Sequence, residues 1–253
     1  MKIIKIQKKN NKYKITLENN TIIETYDEII IKENILYKKE ITDELKSKIE
    51  KENKYYEIYN NILKYIKIKL RSEYEIRENI KKNEIDKFTE EKLIKKLKDS
   101  KLIDDKTYTY AYIHDRIKFS NDGPYKIKKE LLKNKIEENL IEDELNKLDR
   151  KEIYEKLKKQ ILKKINANNK YSNNMIKQKL INYFINQGYE KSMISEIIQD
   201  NQKEDNNIIK KEYEKLYNKY KTKYNEYELN RVIKQKLYQK GFSIDEINNI
   251  EQR

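Results

Sequence analysis

Gly123-Pro-Tyr-Lys-Ile-Lys-Lys-Glu-Leu-Leu-Lys-Asn-Lys-Ile136 is the stretch of sequence that decides the fold. Its apolar residues Ile127 and Leu131 are four positions apart, so they share one face of a helix. Proline is favoured at the first position of a helix, which places the helix start at Pro124. Ile136 follows the expected helix end and can fold back onto Leu131. The stretch therefore predicts a short amphipathic helix that is closed by a tight turn.

The same pattern occurs four times along the chain at nearly constant spacing. Each copy has two apolar residues four positions apart, then a helix-ending residue, then another apolar residue. The copies begin at Ile76, Ile127, Leu180 and Ile233, at offsets of 51, 53 and 53 residues. A fixed period of this kind indicates a tandem helical repeat. We expect about three short helices in each unit, because helical spacing and capping signals fill the intervening segments.

The helix-ending residue of each copy should adopt the left-handed conformation that closes a helix. Glycine takes this conformation readily, and the third and fourth copies have Gly188 and Gly241 there. The first two copies have Glu84 and Lys135 instead, where a non-glycine residue costs roughly 1 kcal/mol. An asparagine directly before each of them could supply the left-handed residue. These asparagines are Asn83 and Asn134. The residues expected to be buried at the closures are Leu131, Phe184 and Leu237.

Helix starts are marked by capping sequences. Ser72-Glu-Tyr-Glu75 and Ser243-Ile-Asp-Glu246 are capping boxes, in which a hydroxyl and a carboxylate satisfy each other's free backbone amides. In the second repeat we predict helices over residues 105–117, 124–134 and 137–148. Residues 86–91 are expected to form an extended loop.

The first forty residues differ from the remainder of the chain. Three short segments, 2–6, 12–17 and 21–26, are rich in β-forming residues and are separated by asparagine-containing turns. Residues 27–32 are interpreted as a further strand, and helix begins near residue 42. The expected fold is mainly α: tandem three-helix repeats in an elongated array, preceded by a small antiparallel β-sheet. The predicted regions are 1–50 for the sheet and 51–103, 104–148, 149–202 and 203–253 for the four repeats.

Composition excludes several classes of function. The chain has no cysteine and a single histidine, His114, so disulfides, thiolate metal sites and histidine acid–base pairs are not expected. No glycine-rich phosphate loop is present, and no apolar run approaches the roughly 18 residues of a membrane helix. We therefore expect no cofactor, no metal, no enzymatic activity and no membrane partner. The expected state is a cytoplasmic monomer.

A net charge of +14 points to nucleic acid or an acidic protein as partner. The positive charge is concentrated on the second repeat, where Lys126, Lys129 and Lys133 lie opposite the apolar pair of the helix. Arg116 and Lys118 lie just upstream. Tyr125 is the tyrosine that we expect to be exposed beside this stripe. A solvated lysine face, produced by the lysine-rich composition, explains the same residues without any partner.

The order and spacing of these motifs resemble the RecX family. The resemblance covers residues 55–200 best. Its departures are the two non-glycine closures and the segment 86–91. The motifs that carry it are Ser72-Glu-Tyr-Glu-Ile76 with Ile80 and Ile85, Leu102-Ile-Asp-Asp105 with Tyr108, Ala111, Tyr112 and Arg116, the segment Gly123 to Leu131, Gln187-Gly-Tyr189, Lys240-Gly-Phe242, and Tyr26-Asp-Glu-Ile29 in the strand-rich start.

The resemblance implies a regulator of homologous recombination. Members of that family bind filaments of the recombinase RecA on single-stranded DNA, occupy the filament groove and reduce filament growth, ATPase activity and strand exchange. RecA filaments are therefore the expected partner, with single- or double-stranded DNA as a further one. Two other readings remain: a DNA-binding helical-repeat protein that acts independently of RecA, and a helical scaffold or adaptor.

Overall fold

The computed structural model describes residues 1–201 and 206–251. In this part of the chain three β-strands are followed by thirteen α-helices. The predicted fold class, mainly α-helical repeats preceded by a small antiparallel sheet, is confirmed. The chain divides into two compact units, residues 1–108 and 109–253.

The first unit opens with the predicted three-stranded sheet. Its strands are β1 (Ile3–Lys9), β2 (Lys12–Leu17) and β3 (Ile22–Tyr26), paired antiparallel in the order β1-β2-β3. Asn10 and Asn20 have positive φ in the turns between the strands, and asparagine tolerates this conformation better than most residues. Ile15 is paired with Ile6 on one side and Ile23 on the other, so the middle strand carries the buried face.

The prediction of a strand over residues 27–32 is wrong. These residues form helix α1 (Asp27–Lys32), which is followed by a 3-10 turn (Ile35–Tyr37). The helix places acidic residues in its first turn and Lys32 in its last, which the helix dipole favours. Ile29 and Ile30 are buried against the sheet, whereas Ile31 is exposed. Three consecutive isoleucines have strand propensity, but helical packing under the sheet overrides it.

Three further helices complete most of the first unit: α2 (Asp43–Ile68), α3 (Glu73–Lys81) and α4 (Lys87–Asp99). The capping box at Ser72 and Glu75 is confirmed. The expected loop over residues 86–91 is wrong, because Asp86 caps α4 by accepting hydrogen bonds from the backbone N–H and the hydroxyl of Thr89. This aspartate supplies the acceptor that the first turn of a helix requires.

The remaining helices follow in close agreement with the repeat pattern. The second predicted repeat contains α5 (Asp105–Phe119), α6 (Pro124–Lys133) and α7 (Glu138–Leu145). The third contains α8 (Arg150–Asn166), α9 (Asn173–Asn186) and α10 (Lys191–Gln199). The fourth contains α11 (Asn206–Tyr220), α12 (Glu226–Gln239) and α13 (Ile244–Glu251). The region boundaries stay predictions, and the one between residues 202 and 203 lies outside the described residues.

The closures of the second, third and fourth repeats have the hydrogen bonds that the fold-back pattern predicts. The N–H of Tyr189 donates to the carbonyl of Phe184 at 3.0 Å, and the N–H of Phe242 donates to Leu237 at 3.3 Å. The N–H of Ile136 donates to Leu131 at 3.2 Å in the same way. Each of these bonds closes a turn of six residues, which is the hydrogen bond that defines a Schellman closure. The predicted burial of Leu131, Phe184 and Leu237 is confirmed.

The left-handed residues of the first two closures are not the asparagines. Glu84 and Lys135 have φ of 47° and 58°, whereas Asn134 has φ of −80° and Asn83 has no positive φ. Closure requires the left-handed residue directly before the apolar residue that folds back. The position in the turn therefore fixes the conformation, and the residue type there only sets its energy.

Candidate partner-binding surface on the second repeat

The start of helix α6 is fixed by the closure of the third repeat. The N–H of Gly123 donates to the carbonyl of Gln187 at 2.6 Å, and the N–H of Tyr125 donates to Gly188 at 3.1 Å. Gly188 has φ of +88°, and a Cβ there would stand 2.2 Å from the backbone nitrogen of Lys126. Glycine is therefore needed at position 188 for its conformation and for this close approach.

The basic stripe lies on the outer side of α6, opposite Ile127 and Leu131, which are buried. Lys129 and Lys133 are exposed, and Lys126 is half-buried. Tyr125 is 60% exposed, in agreement with its predicted place beside the stripe. These side chains are positioned by a helix whose start and end are both held by backbone hydrogen bonds.

Two of the predicted residues converge on a buried carboxylate. Lys126 Nζ lies 2.7 Å from Asp122 Oδ1, and Arg116 Nη1 lies 3.3 Å from Asp122 Oδ2. Lys126 also donates to Gln187 Oε1 at 3.1 Å. Burial disfavours the charged carboxylate of Asp122, but the hydrogen bond and charge of Lys126, together with Ser120 and Arg116, outweigh burial and lower its pKa. Arg116 and Lys126 are therefore held in place, with part of their charge compensated.

The other cations of the set are less constrained. Lys133 Nζ is paired with Glu130 at 2.8 Å, one turn away and exposed to solvent. Lys118 lies 5.4 Å from the centre of the Phe119 ring, itself an exposed aromatic side chain. Among the described residues, neither Lys118 nor Lys129 forms an ion pair. Lys118 on α5 and Lys129 on α6 are therefore the two predicted contact residues with uncompensated charge.

Sequence reasoning missed the residues that organise this surface. Asp122 and Gln187 contact the stripe from outside α6, and Gln187 is 61 positions away in sequence from Lys126. Lys156 of α8 was also missed; its ammonium donates to the carbonyl of Ile117, and burial lowers its pKa. Only Asp122 had a local signal, as an acidic residue directly before the Gly-Pro helix start.

A groove with a volume of about 650 Å³ adjoins Tyr125 and the start of α6. At its rim, Lys128 Nζ lies 2.6 Å from both Glu138 and Glu142, and these hydrogen bonds raise the pKa of the lysine. The apolar residues that line the groove are Pro124, Leu145, Leu148, Ile153 and Met193.

His114 lies beside this region on α5. Its Nε2 is 3.4 Å from Glu144 Oε1, and its ring centre is 4.2 Å from that of Tyr110. In residues 1–201 and 206–251, no group of three or more histidine, aspartate or glutamate side chains could hold a metal ion. No helix within these ranges is both long and apolar enough to cross a membrane.

Two family models match the chain. The model described as RecX, second three-helix domain, matches residues 104–145, and the model described as RecX, third three-helix domain, matches residues 203–250. The match to the third-domain model falls on the predicted fourth repeat. This repeat has a Gly-aromatic closure, as the predicted third repeat does.

Known proteins match over nearly the whole chain. Regulatory protein RecX of Streptococcus pneumoniae (strain ATCC BAA-255 / R6) is 30% identical over 98% of this chain and 97% of its own length. Regulatory protein RecX of Oceanobacillus iheyensis is 30% identical over 97% and 94%. A crystal structure of regulatory protein RecX matches with a TM-score of 0.66 and 25% identity, covering 79% of this chain and 99% of that one. The crystal structure of RecX from Lactobacillus salivarius has a TM-score of 0.54 and 28% identity, covering 58% and 96%. The chain therefore belongs to the RecX family of regulatory proteins.

Proposed function

We propose that this protein regulates homologous recombination by binding RecA filaments and lowering their activity. It would act by occupying the filament, with no chemical step of its own. The observation that carries the proposal is the uncompensated positive charge of the exposed Lys118 on α5 and Lys129 on α6, in a chain that belongs to a regulatory family.

The charge argument follows from the partner. A filament on single-stranded DNA presents phosphates and acidic protein surface along a continuous groove. Exposed lysines without an internal partner add little to the stability of the fold. They do accelerate encounter with a negatively charged partner and favour one orientation of docking. Tyr125 adds an exposed ring beside them that could pack on a base or on a protein side chain.

The direct test is the ATPase activity of RecA on single-stranded DNA, measured with increasing amounts of this protein. We expect ATP hydrolysis to fall and then to level off as the filament becomes occupied. Unchanged hydrolysis, at concentrations where binding to the filament is saturated, would contradict inhibition.

A second measurement separates RecA-dependent binding from simple DNA binding. The protein is added to labelled single-stranded DNA, either naked or already coated with RecA. We expect clearly tighter binding to the coated DNA. Equal or tighter binding to naked DNA would support a DNA-binding repeat protein that acts without RecA, and no binding to either would support a scaffold.

A further inference from the structure

The outer edge of strand β1 forms the floor of a second, larger groove. Its volume is about 1110 Å³, and it lies within the first compact unit. The residues that matter for the argument are Lys2, Ile4, Lys5, Leu36, Lys38 and Lys39, all of which line the groove. None of them belongs to the surface on the second repeat.

The backbone of β1 can pair with a further strand. β1 is an edge of the sheet, because β2 occupies its other side. The N–H of Ile3 donates outward to the carbonyl of Lys39 at 2.9 Å, and the N–H of Ile41 donates to the carbonyl of Met1 at 2.8 Å. Past Ile3, no described strand continues this outer pairing. Alternate residues of an edge strand turn their amides and carbonyls away from the sheet, so the pairing can be extended by another chain.

The side chains around this edge favour an acidic occupant. Lys2, Lys5, Lys38 and Lys39 line the groove together, and none of them forms an ion pair among the described residues. Among the described residues that line the groove, Glu40 is the only acidic one. With four lysines and one glutamate among the described residues that line it, the groove has an excess of positive charge, and a negatively charged segment would be attracted to it.

Apolar contacts and backbone groups distinguish a peptide from a nucleic acid. Ile4 and Leu36 are 64% and 52% exposed, so two aliphatic side chains are available to alternate side chains of a bound strand. None of the described residues that line the groove is aromatic. Single-stranded nucleic acids are usually held by stacking on aromatic rings, so this lining does not favour them. The free backbone groups of β1 match those of an extended peptide.

We propose that this groove binds an extended acidic peptide segment of a partner protein, which adds to the sheet as a strand beside β1. Backbone hydrogen bonds would hold the segment, Ile4 and Leu36 would contact its apolar residues, and the lysines would pair with its carboxylates. The proposal goes beyond filament binding by the second repeat and does not depend on it.

The test uses the full-length protein and a fluorescein-labelled peptide of about six residues, the length of an average strand, that alternates valine and glutamate. We expect a saturable rise in fluorescence anisotropy that weakens with salt. The same peptide with lysine in place of glutamate should not bind. The same peptide methylated on alternate backbone nitrogens should also lose binding, because it cannot pair as a strand.

Charge reversal locates the site. The double variant Lys5→Glu with Lys38→Glu should bind the valine–glutamate peptide at least about tenfold more weakly, equivalent to about 1.4 kcal/mol. The matched control is Lys64→Glu with Lys67→Glu, which changes the net charge equally at exposed positions of α2 and should bind as the parent does. If the double variant fails to fold, as judged by circular dichroism, Lys38→Glu alone, outside the sheet, tests the same charge.

Several results would overturn the proposal. One is that the peptide does not bind the parent protein. If charge reversal then makes the protein self-associate, the lysines only protect an open sheet edge. Another is that the N-methylated peptide binds equally well, which would exclude strand addition. A third is that an oligothymidine binds in preference to the peptide and is lost in the same variant, which would identify a nucleic-acid site.

Discussion

Phe184 illustrates how one residue closes a repeat. Its side chain is fully buried, its ring lies 6.1 Å from that of Tyr189 in an edge-on arrangement, and its carbonyl accepts the closing hydrogen bond. Phe184 therefore contributes both to the hydrophobic core and to the hydrogen bond that ends its helix. The i, i+4 spacing and the following glycine predicted this arrangement from sequence, because all the groups involved lie within ten residues.

We expect Phe184→Ala to lower the free energy of unfolding by about 3–5 kcal/mol, because it removes a large buried ring and leaves a cavity. Chemical denaturation followed by circular dichroism measures the change. Ile185→Ala is the control, since Ile185 is 42% exposed on the same helix and should cost much less. A loss below about 1 kcal/mol for Phe184→Ala would contradict the packing described for this repeat.

Lys135 is a residue whose type conflicts with its conformation. Its φ of 58° is unfavourable for a side chain with a Cβ. We expect Lys135→Gly to raise the free energy of unfolding by about 0.5–1 kcal/mol, because the relief of strain exceeds the entropy that glycine loses on folding. Lys133→Gly, two residues earlier within the helix, should be destabilising instead. Equal effects of the two substitutions in denaturation would argue against a left-handed residue at position 135.

At the scale of elements, helices were more predictable than their contacts. The helix starts at Ser72, Pro124 and Ser243 follow from local capping sequences, and the structure has all three. The six residues of α1 were not predicted, because a segment of fewer than two helical turns that contains three consecutive isoleucines has no helical period to detect. The link from α6 to the third-repeat closure could not be predicted either, since it joins Lys126 to a residue 61 positions away.

The contact between α5 and α6 through Asp122 should depend on pH. The pKa of Asp122 is lowered on folding, so its stabilising effect is present above the unfolded value of about 3.9 and is lost as pH falls further. We expect Asp122→Asn to lower stability by about 1–3 kcal/mol at neutral pH, because charged hydrogen bonds to Arg116 and Lys126 are weakened. The difference between parent and variant should shrink as pH falls from about 5 to about 2.

Thermal or urea denaturation at several pH values measures this effect. Glu130→Gln is the matched control, because Glu130 also pairs with a lysine, Lys133, but in an exposed position. Its effect should stay within about 0.5 kcal/mol at every pH. A pH-independent difference between the parent and Asp122→Asn would show that the aspartate acts by shape rather than by charge.

At the scale of the whole molecule, the net charge is +14. The basic residues behind it are of two kinds: those held in ion pairs within the fold and those free to contact a partner. Arg116 and Lys126 are bound to Asp122, so reversing either charge would place a second carboxylate beside the buried Asp122 and damage the fold. Lys118 and Lys129 form no ion pair among the described residues and can be changed without such damage. The candidate surface is therefore best tested on these two lysines, which sequence periodicity alone could not distinguish from their neighbours.

We expect Lys118→Glu with Lys129→Glu to weaken binding to RecA-coated single-stranded DNA by at least about tenfold, because like charges then oppose encounter. Lys211→Glu with Lys215→Glu on α11 is the control: it makes the same change in net charge at exposed positions and should bind as the parent does.

Salt dependence shows whether the lysines touch phosphates. If they do, the negative slope of log affinity against log salt should become shallower by about 0.7 for each lost contact. Filament binding is measured by anisotropy of labelled DNA at several salt concentrations, after circular dichroism has shown that both variants are folded. Equal loss in both variants would mean that overall charge, rather than this surface, attracts the protein. Unchanged binding in the first variant would identify the stripe as a solvated lysine face.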